Sequence, residues 1–153
     1  MKQKGFSLIE LLIVVAIILV IAAIAIPSLL KSRIAANEAS AVGSVRSINT
    51  SQVTYSNACQ QYAATLLALN TGGGCPAGAN TIDAVLAAGV KSGYNITSIS
   101  PGTTAAGTQT TTFDVNADPI TQNVSGIRHF FSNESLVIRV NPAAAATNAS
   151  APL

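Results

Sequence analysis

The sequence predicts an α+β protein in which a long N-terminal helix packs on a C-terminal antiparallel sheet of about four strands. Three observations support this fold class: an apolar run at 6–26, an amphipathic segment of helical period at 27–59, and segments of alternating polarity at 94–140. A connecting region at 60–93 joins the helix to the sheet, and a tail at 141–153 ends the chain. We expect this tail to be flexible, because it lacks both periodicity and bulky apolar side chains.

The apolar run at 6–26 predicts a membrane-spanning helix. It is interrupted only by Ser7 and Glu10, and as a helix it would extend roughly 30 Å, which matches the hydrocarbon core of a bilayer. Lys2 and Lys4 precede it, so the positive-inside rule places the N-terminus in the cytoplasm and the chain after Pro27 outside. Only 9% of the residues are charged and no basic run occurs, which gives nucleic-acid binding no support.

The apolar run has two other interpretations. A cleaved secretory signal would use the small residues Ala23 and Ala25, but the apolar stretch exceeds the usual length of about 7 to 15 residues. An uncleaved signal anchor has the right length. Neither interpretation explains why Glu10 stands near the start of the run.

An amphipathic stripe continues the helix beyond Pro27. Its members follow one another at spacings of three and four: Ile34, Glu38, Ala41, Val45, Ile48, Gln52, Tyr55 and Cys59. We therefore expect one helix from about residue 6 to the mid-fifties, with a kink or local melting at Pro27. Ser44, Asn49 and Ser51 lie largely off the stripe and are expected to face water or other subunits.

Shorter elements are predicted after the long helix. Two short helices are expected at 65–70 and 81–89, the second with Thr81 as N-cap and Gly89 as its end. Four strands are expected at 94–99, 110–116, 127–131 and 135–140. Turns are expected at Pro101 with Gly102, Asp118 with Pro119, and Ser132 with Asn133. The apolar face of this sheet should cover the stripe around Val45 and Ile48.

The cysteine content predicts one disulfide. Cys59 and Cys75 are the only two cysteines, they follow the membrane span, and they lack the partners of a four-ligand metal site. A bridge between them would connect the end of the long helix to the connecting region.

The N-terminal motif is the most specific feature of the chain. A short basic leader ends in Gly5, and Phe6 then begins an apolar helix that carries Glu10 four residues later. This order resembles type IV pilins and type II secretion pseudopilins, strongly over residues 2 to about 30 and more weakly to about residue 140. The resemblance implies cleavage between Gly5 and Phe6 by a prepilin peptidase, which also methylates the new amine of Phe6.

Glu10 needs a partner on physical grounds as well. A carboxylate within a membrane helix costs on the order of 2.5 to 3.5 kcal/mol, so such a residue is functional by default. Cleavage would create a cationic amine on Phe6 one helical turn earlier. The resemblance implies that Glu10 pairs with this amine between subunits and aligns them during assembly. It also implies that the helix can melt near Pro27 within a filament, and that many pilins close their C-terminal loop with a disulfide, which this chain does not.

Other residues are weaker candidates for a functional site. His129 is the only histidine, and no acid–base pattern accompanies it. Asp114, Asp118 and Glu134 are a weak pattern for the calcium site that some major pseudopilins carry. No catalytic motif is present in the sequence, so we expect no enzyme activity, no metal and no cofactor.

The leading hypothesis is a structural subunit, most like a type IVa major pilin. Its implied partners are identical subunits in a helical homopolymer, the prepilin peptidase, an inner-membrane assembly platform, and the membrane itself before assembly; the filament would then lie at the cell surface. Adhesion, motility and DNA uptake belong to whole pili. The alternatives are the major pseudopilin of a type II secretion system and a monomeric membrane-anchored binding module.

Overall fold

A computed structural model describes residues 6–78, 80–100 and 111–153. Its helices are α1 (Leu8–Cys59), α2 (Leu66–Thr71) and α3 (Ala84–Ala87), with one 3-10 turn at Pro76–Gly78. Its strands are β1 (Val90–Lys91), β2 (Tyr94–Ile99), β3 (Asp114–Pro119), β4 (His129–Asn133), β5 (Arg139–Asn141) and β6 (Ala151–Pro152). The predicted α+β class is confirmed. The chain divides into two compact units. The N-terminal unit ends at Arg33, and the C-terminal unit comprises Ile34–Leu153.

The N-terminal unit is the first half of α1. Its large apolar side chains are exposed throughout, from Leu8 to Leu30. The helix continues through Pro27, so the expected local melting is not seen in the single chain. The missing N–H of a proline removes one hydrogen bond of the helix, which the neighbouring bonds can tolerate. A kink at Pro27 stays a prediction.

The C-terminal unit contains an antiparallel meander. The six strands follow one another in chain order, and each pairs with the next. In β2 and β3, Tyr94 lies opposite Pro119 and Ile99 opposite Asp114. The four predicted strands are present, and the two additional strands, β1 and β6, are edge strands of two residues each, too short to leave a period in the sequence.

The second half of α1 packs on this sheet. Seven of the eight stripe residues are buried, and the eighth, Cys59, is partly buried against the core. Val45 and Ile48 join a core that includes Tyr94, Val115 and Phe130, so the predicted covering of the stripe is confirmed.

The expectation for three polar residues of α1 was wrong. Ser44, Asn49 and Ser51 are buried rather than facing water. Asn49 Nδ2 donates to Ser132 Oγ at 2.7 Å, and Ser51 Oγ donates to the Thr81 carbonyl at 2.8 Å. A buried polar side chain is tolerated when it is hydrogen-bonded, and these partners come from distant parts of the chain.

The connecting region follows the prediction in its first helix and departs from it in the second. α2 begins after the N-cap Thr65 and ends at Gly72, whose φ of 89° is the left-handed conformation that glycine adopts readily. α3 is shorter than predicted, and its N-cap is Asp83, whose Oδ1 accepts from Leu86 N at 2.6 Å. Thr81 instead donates its hydroxyl to the Leu69 carbonyl at 2.8 Å, so the predicted cap at this residue was wrong.

The boundaries of two strands also differ from the predicted ones. β3 begins at Asp114 and includes the predicted turn residues Asp118 and Pro119; proline is tolerated there because it ends the strand. β4 likewise includes the predicted turn residues Ser132 and Asn133, which pair with β3. The predicted turn at Pro101 and Gly102, and the first residue of the strand predicted at 110–116, lie outside the described residues.

The tail contains a short strand that was not expected from its sequence, and its flexibility stays a prediction. Ala151 and Pro152 form β6 on β5, and Ala146 is only 2% exposed. Arg139 Nη1 donates to the Ser150 carbonyl at 3.0 Å, and Leu153 N donates to the Ile138 carbonyl at 2.8 Å. Main-chain hydrogen bonds hold this segment, and they require no apolar pattern in its sequence.

Candidate functional site

The N-terminal site begins just before α1. Phe6 precedes the helix and its side chain is 87% exposed. The carbonyl of Ser7 accepts from Glu10 N at 3.1 Å and from Leu11 N at 3.2 Å, which starts the helical hydrogen bonding. Glu10 therefore lies in the first turn, where the helix dipole favours a negative charge. Gly5 lies outside the described residues.

The apolar face beyond Glu10 has no partner within its own unit. Large apolar side chains from Leu8 to Ile26 are between 47% and 79% exposed, at Val15 and Leu8 respectively. Among the described residues, one helix, α1, is long and apolar enough to cross a membrane. Such a surface is unfavourable in water, because exposed apolar area costs roughly 25 cal/mol per Å². It requires lipid or other apolar helices around it.

Comparison with known proteins bears on this N-terminal segment. Residues 1–26 match the model of the family described as the prokaryotic N-terminal methylation motif. The chain carries this methylation motif. The match supports the type IV pilin and pseudopilin family, so the resemblance seen in the sequence is confirmed at that level. No curated protein and no solved structure matches the chain significantly.

The predicted cysteine pair is bonded. Cys59 at the end of α1 and Cys75 form a disulfide with their Cα atoms 6.0 Å apart. Within the loop that it closes, the Gly72 carbonyl accepts a hydrogen bond from the Tyr55 hydroxyl at 3.0 Å. The disulfide and this hydrogen bond together attach the connecting region to the last turns of α1.

A buried carboxylate on the stripe was missed as a functional group. Glu38 is 5% exposed, and its Oε1 accepts from the backbone N–H groups of Ile127 and Arg128 at 3.0 and 3.1 Å. Its Oε2 accepts from Arg128 Nε at 2.7 Å. Burial opposes ionisation, but these hydrogen bonds and the Arg128 charge outweigh it and lower the pKa of Glu38 below its ordinary value.

These hydrogen bonds of Glu38 attach the β3–β4 loop to α1. Asn37 adds a hydrogen bond from Nδ2 to the Ser125 carbonyl at 2.8 Å. Gly126 in this loop lies so close to the Tyr94 ring that a Cβ would collide with it. The sequence signal was present, since an acid on an otherwise buried stripe implies a partner, but the identity of that partner could not be inferred.

The structure separates the three acids considered as calcium ligands. Asp118 Oδ1 lies 2.6 Å from His129 Nδ1, while His129 Nε2 lies 3.1 Å from Gln122 Oε1. Asp114 and Glu134 line a different cavity. Burial and the nearby Glu134 charge raise the pKa of Asp114 above its ordinary value. In the described part of the chain, no group of three or more His, Cys, Asp or Glu residues is placed to hold a metal.

Proposed function

We propose that this chain is the structural subunit of a type IVa-like pilus. It would be cleaved between Gly5 and Phe6, methylated on the Phe6 amine, and assembled through the first half of α1 with Glu10 as the contact residue. The observation that carries the proposal is a methylation motif followed directly by a long apolar helix with no partner in its own unit.

The two environments of this helix explain assembly energetically. Before assembly, lipid surrounds its Leu, Ile and Val side chains; in a filament, the same side chains would pack on helices of neighbouring subunits. Removal from the membrane therefore exchanges one apolar environment for another. Glu10 is the exception, since its carboxylate would pair with a cation, the Phe6 amine that cleavage creates.

The expected partners follow from this pathway. They are the prepilin peptidase, an inner-membrane assembly platform and identical subunits, with the membrane holding the subunit before assembly. The C-terminal unit would lie outside the cytoplasm and then on the surface of the pilus. No catalytic role and no cofactor are proposed for the chain itself.

One observation favours a pilus over a calcium-holding secretion filament. Asp118, one of three candidate calcium ligands, is engaged by His129 at 2.6 Å and lies on a different site from Asp114 and Glu134. Sheared surface filaments containing this chain would agree with the pilin. Absence from such filaments, together with a block in exoprotein release on deletion, would favour the pseudopilin of a type II secretion system.

The processing step provides the sharpest test. Mass spectrometry of the N-terminal peptide from the native source should show loss of MKQKG and the addition of one methyl group to Phe6. Substitution of Gly5 should leave the leader attached, and substitution of Lys31, which lies beyond the motif, provides a control that should be processed normally. An intact leader on the wild-type chain would refute the proposal and favour a membrane-anchored monomer.

A further inference from the structure

The charges of the C-terminal unit are unequally paired. Its acidic residues are Glu38, Asp83, Asp114, Asp118 and Glu134, and its basic residues are Arg46, Lys91, Arg128 and Arg139. Glu38 forms an ion pair with Arg128, and Asp83 forms one with Lys91. Asp118 Oδ1 is hydrogen-bonded to His129 Nδ1 at 2.6 Å. Among the described residues, Asp114 and Glu134 form no ion pair, and residues 79 and 101–110 contribute no charged side chain.

The two remaining acids share one surface, here called the acidic cavity. Asp114, Asn116, Asn133, Glu134 and residues 145–148 line it, and its volume is about 590 Å³. Side chains alternate along β3, so Asp114 faces away from α1 while its neighbour Val115 is buried in the core. Two carboxylates that form no ion pair within the described residues repel each other across this surface, and burial together with the Glu134 charge raises the pKa of Asp114.

Arg46 lies on a second surface, here called the Arg46 groove. Arg46, Asn49, Thr50, Val53, Thr54 and Leu136 line this groove, whose volume is about 470 Å³. The Arg46 side chain is exposed and forms no ion pair within the described residues. The surface of the groove is mainly apolar, and Arg46 is the charged residue of its lining.

Asn49 provides an independent sign that the groove lacks a partner. It is 6% exposed, and its Nδ2 is satisfied by Ser132 Oγ. Its Oδ1 is buried and has no hydrogen-bond partner within the described chain. An unsatisfied buried acceptor is destabilising, so a donor that a partner brings to this groove would relieve it.

We propose that the Arg46 groove of one subunit binds the acidic cavity of the next, with Arg46 paired to Glu134 and Asp114. This inference rests on the proposed function as a filament subunit. Asp114 and α1 lie on opposite sides of the sheet, so a second copy is needed to bring Asp114 to Arg46. Contacts between two different surfaces of identical subunits produce open helical assemblies when they do not close into a ring.

The chemistry of the contact is well matched. A guanidinium donates two parallel hydrogen bonds to a carboxylate, and a charge-assisted bond of this kind is stronger than a neutral one. The contact neutralises a repulsive acid pair and an unpaired Arg46 together. It would act beside the cohesion of the apolar helices and set which face of one C-terminal unit meets its neighbour.

Charge reversal in the full chain tests the proposal. Arg46→Glu and Glu134→Arg, each expressed as the sole subunit in the native source, should reduce recovery of sheared filaments about tenfold or more. The double variant should recover much of the wild-type yield, because it restores opposite charges. As a matched control, Lys91→Glu reverses a partly exposed charge outside both surfaces, keeps Asp83 as the N-cap of α3, and should leave the yield unchanged.

Membrane-fraction subunit levels and disulfide formation by non-reducing gel verify that each variant folds. Wild-type yield in both single reversals, or no recovery in the double variant, would overturn the contact. Absence of processed, filamentous wild-type chain would instead overturn the proposed function on which it rests.

Cross-linking identifies the occupant directly. Arg46→Lys supplies an amine that a carbodiimide can join to Glu134 or Asp114, and filaments mixed from light- and heavy-isotope subunits distinguish links between copies from links within one. Mixed-isotope peptides joining residue 46 to 114 or 134 support the proposal. Links found only within single chains, or to a different protein, contradict it.

Discussion

The two halves of α1 have the same secondary structure and opposite surroundings. From Leu8 to Arg33 the large apolar side chains are exposed on every side of the helix, whereas from Ile34 to Cys59 a single stripe is buried under the sheet. The first half therefore needs partners from outside its own unit. The second half has its partners within the same chain.

This difference separates assembly from folding. A substitution in the first half should affect membrane insertion or filament formation and leave the C-terminal unit intact. A substitution on the buried stripe should affect the free energy of unfolding of that unit.

The same substitution in the two halves should have very different effects. Ile48 is completely buried, so Ile48→Ala should lower the free energy of unfolding by about 2 to 5 kcal/mol, because it removes packed methyl groups and leaves a cavity. Ile18 is 58% exposed, so Ile18→Ala should change the free energy of unfolding by no more than about 0.5 kcal/mol. Denaturant unfolding of the full chain in detergent measures both; equal effects would contradict the division.

A covalent bond secures only the second half. Replacing both cysteines, Cys59→Ser with Cys75→Ser, should destabilise the C-terminal unit by about 3 kcal/mol, because the unfolded chain gains loop entropy. Thermal unfolding of the full chain, with and without reductant, provides the measurement. Reductant should not affect the double variant, and a reductant effect there would indicate another cause.

Each half of α1 contains one glutamate: we expect Glu38 to stabilise the fold and Glu10 to act in assembly. Glu38→Ala should cost about 2 kcal/mol in unfolding free energy, because it leaves the N–H groups of Ile127 and Arg128 without their acceptor. Glu10→Ala should not change this free energy but should abolish filament recovery. Filaments from Glu10→Ala at the wild-type level would contradict the assembly role, independently of the result at Glu38.

The smallest effect concerns pH. The folded pKa of Glu38 is below its ordinary value of 4.5, so its stabilisation is present above that pH and is lost as the pH falls through the folded pKa. The folded pKa of Asp114 is above its ordinary value of 3.8, so its ionisation destabilises the isolated unit as the pH rises. Asp114→Asn should therefore stabilise the subunit at pH 7 by less than about 1 kcal/mol, with no gain below pH 3.8. Unfolding curves between pH 3 and 7 check both signs.

Much of the long helix could be predicted because its residues repeat at regular intervals. The stripe from Ile34 to Tyr55 predicted the buried face of the second half of α1. The apolar run predicted the membrane-length first half, whose apolar side chains are exposed. The edges of the sheet and the tail could not be predicted in this way. β6 has only two residues, and main-chain hydrogen bonds to β5 hold it, so no side-chain pattern marks it.

The methylation motif, the membrane-length helix, the cysteine pair and the position of Glu10 follow from the amino-acid sequence, because each depends on residues close together in the chain. The folded structure was needed to show that Glu38 binds Arg128 and that Asn49 binds Ser132. It was also needed to show that Asp114 shares a cavity with Glu134, whereas Asp118 is hydrogen-bonded to His129. Most of these contacts join residues brought together by the packing of α1 on the sheet and by strand register. A buried polar group takes the partner that folding places beside it, and local sequence does not specify that partner.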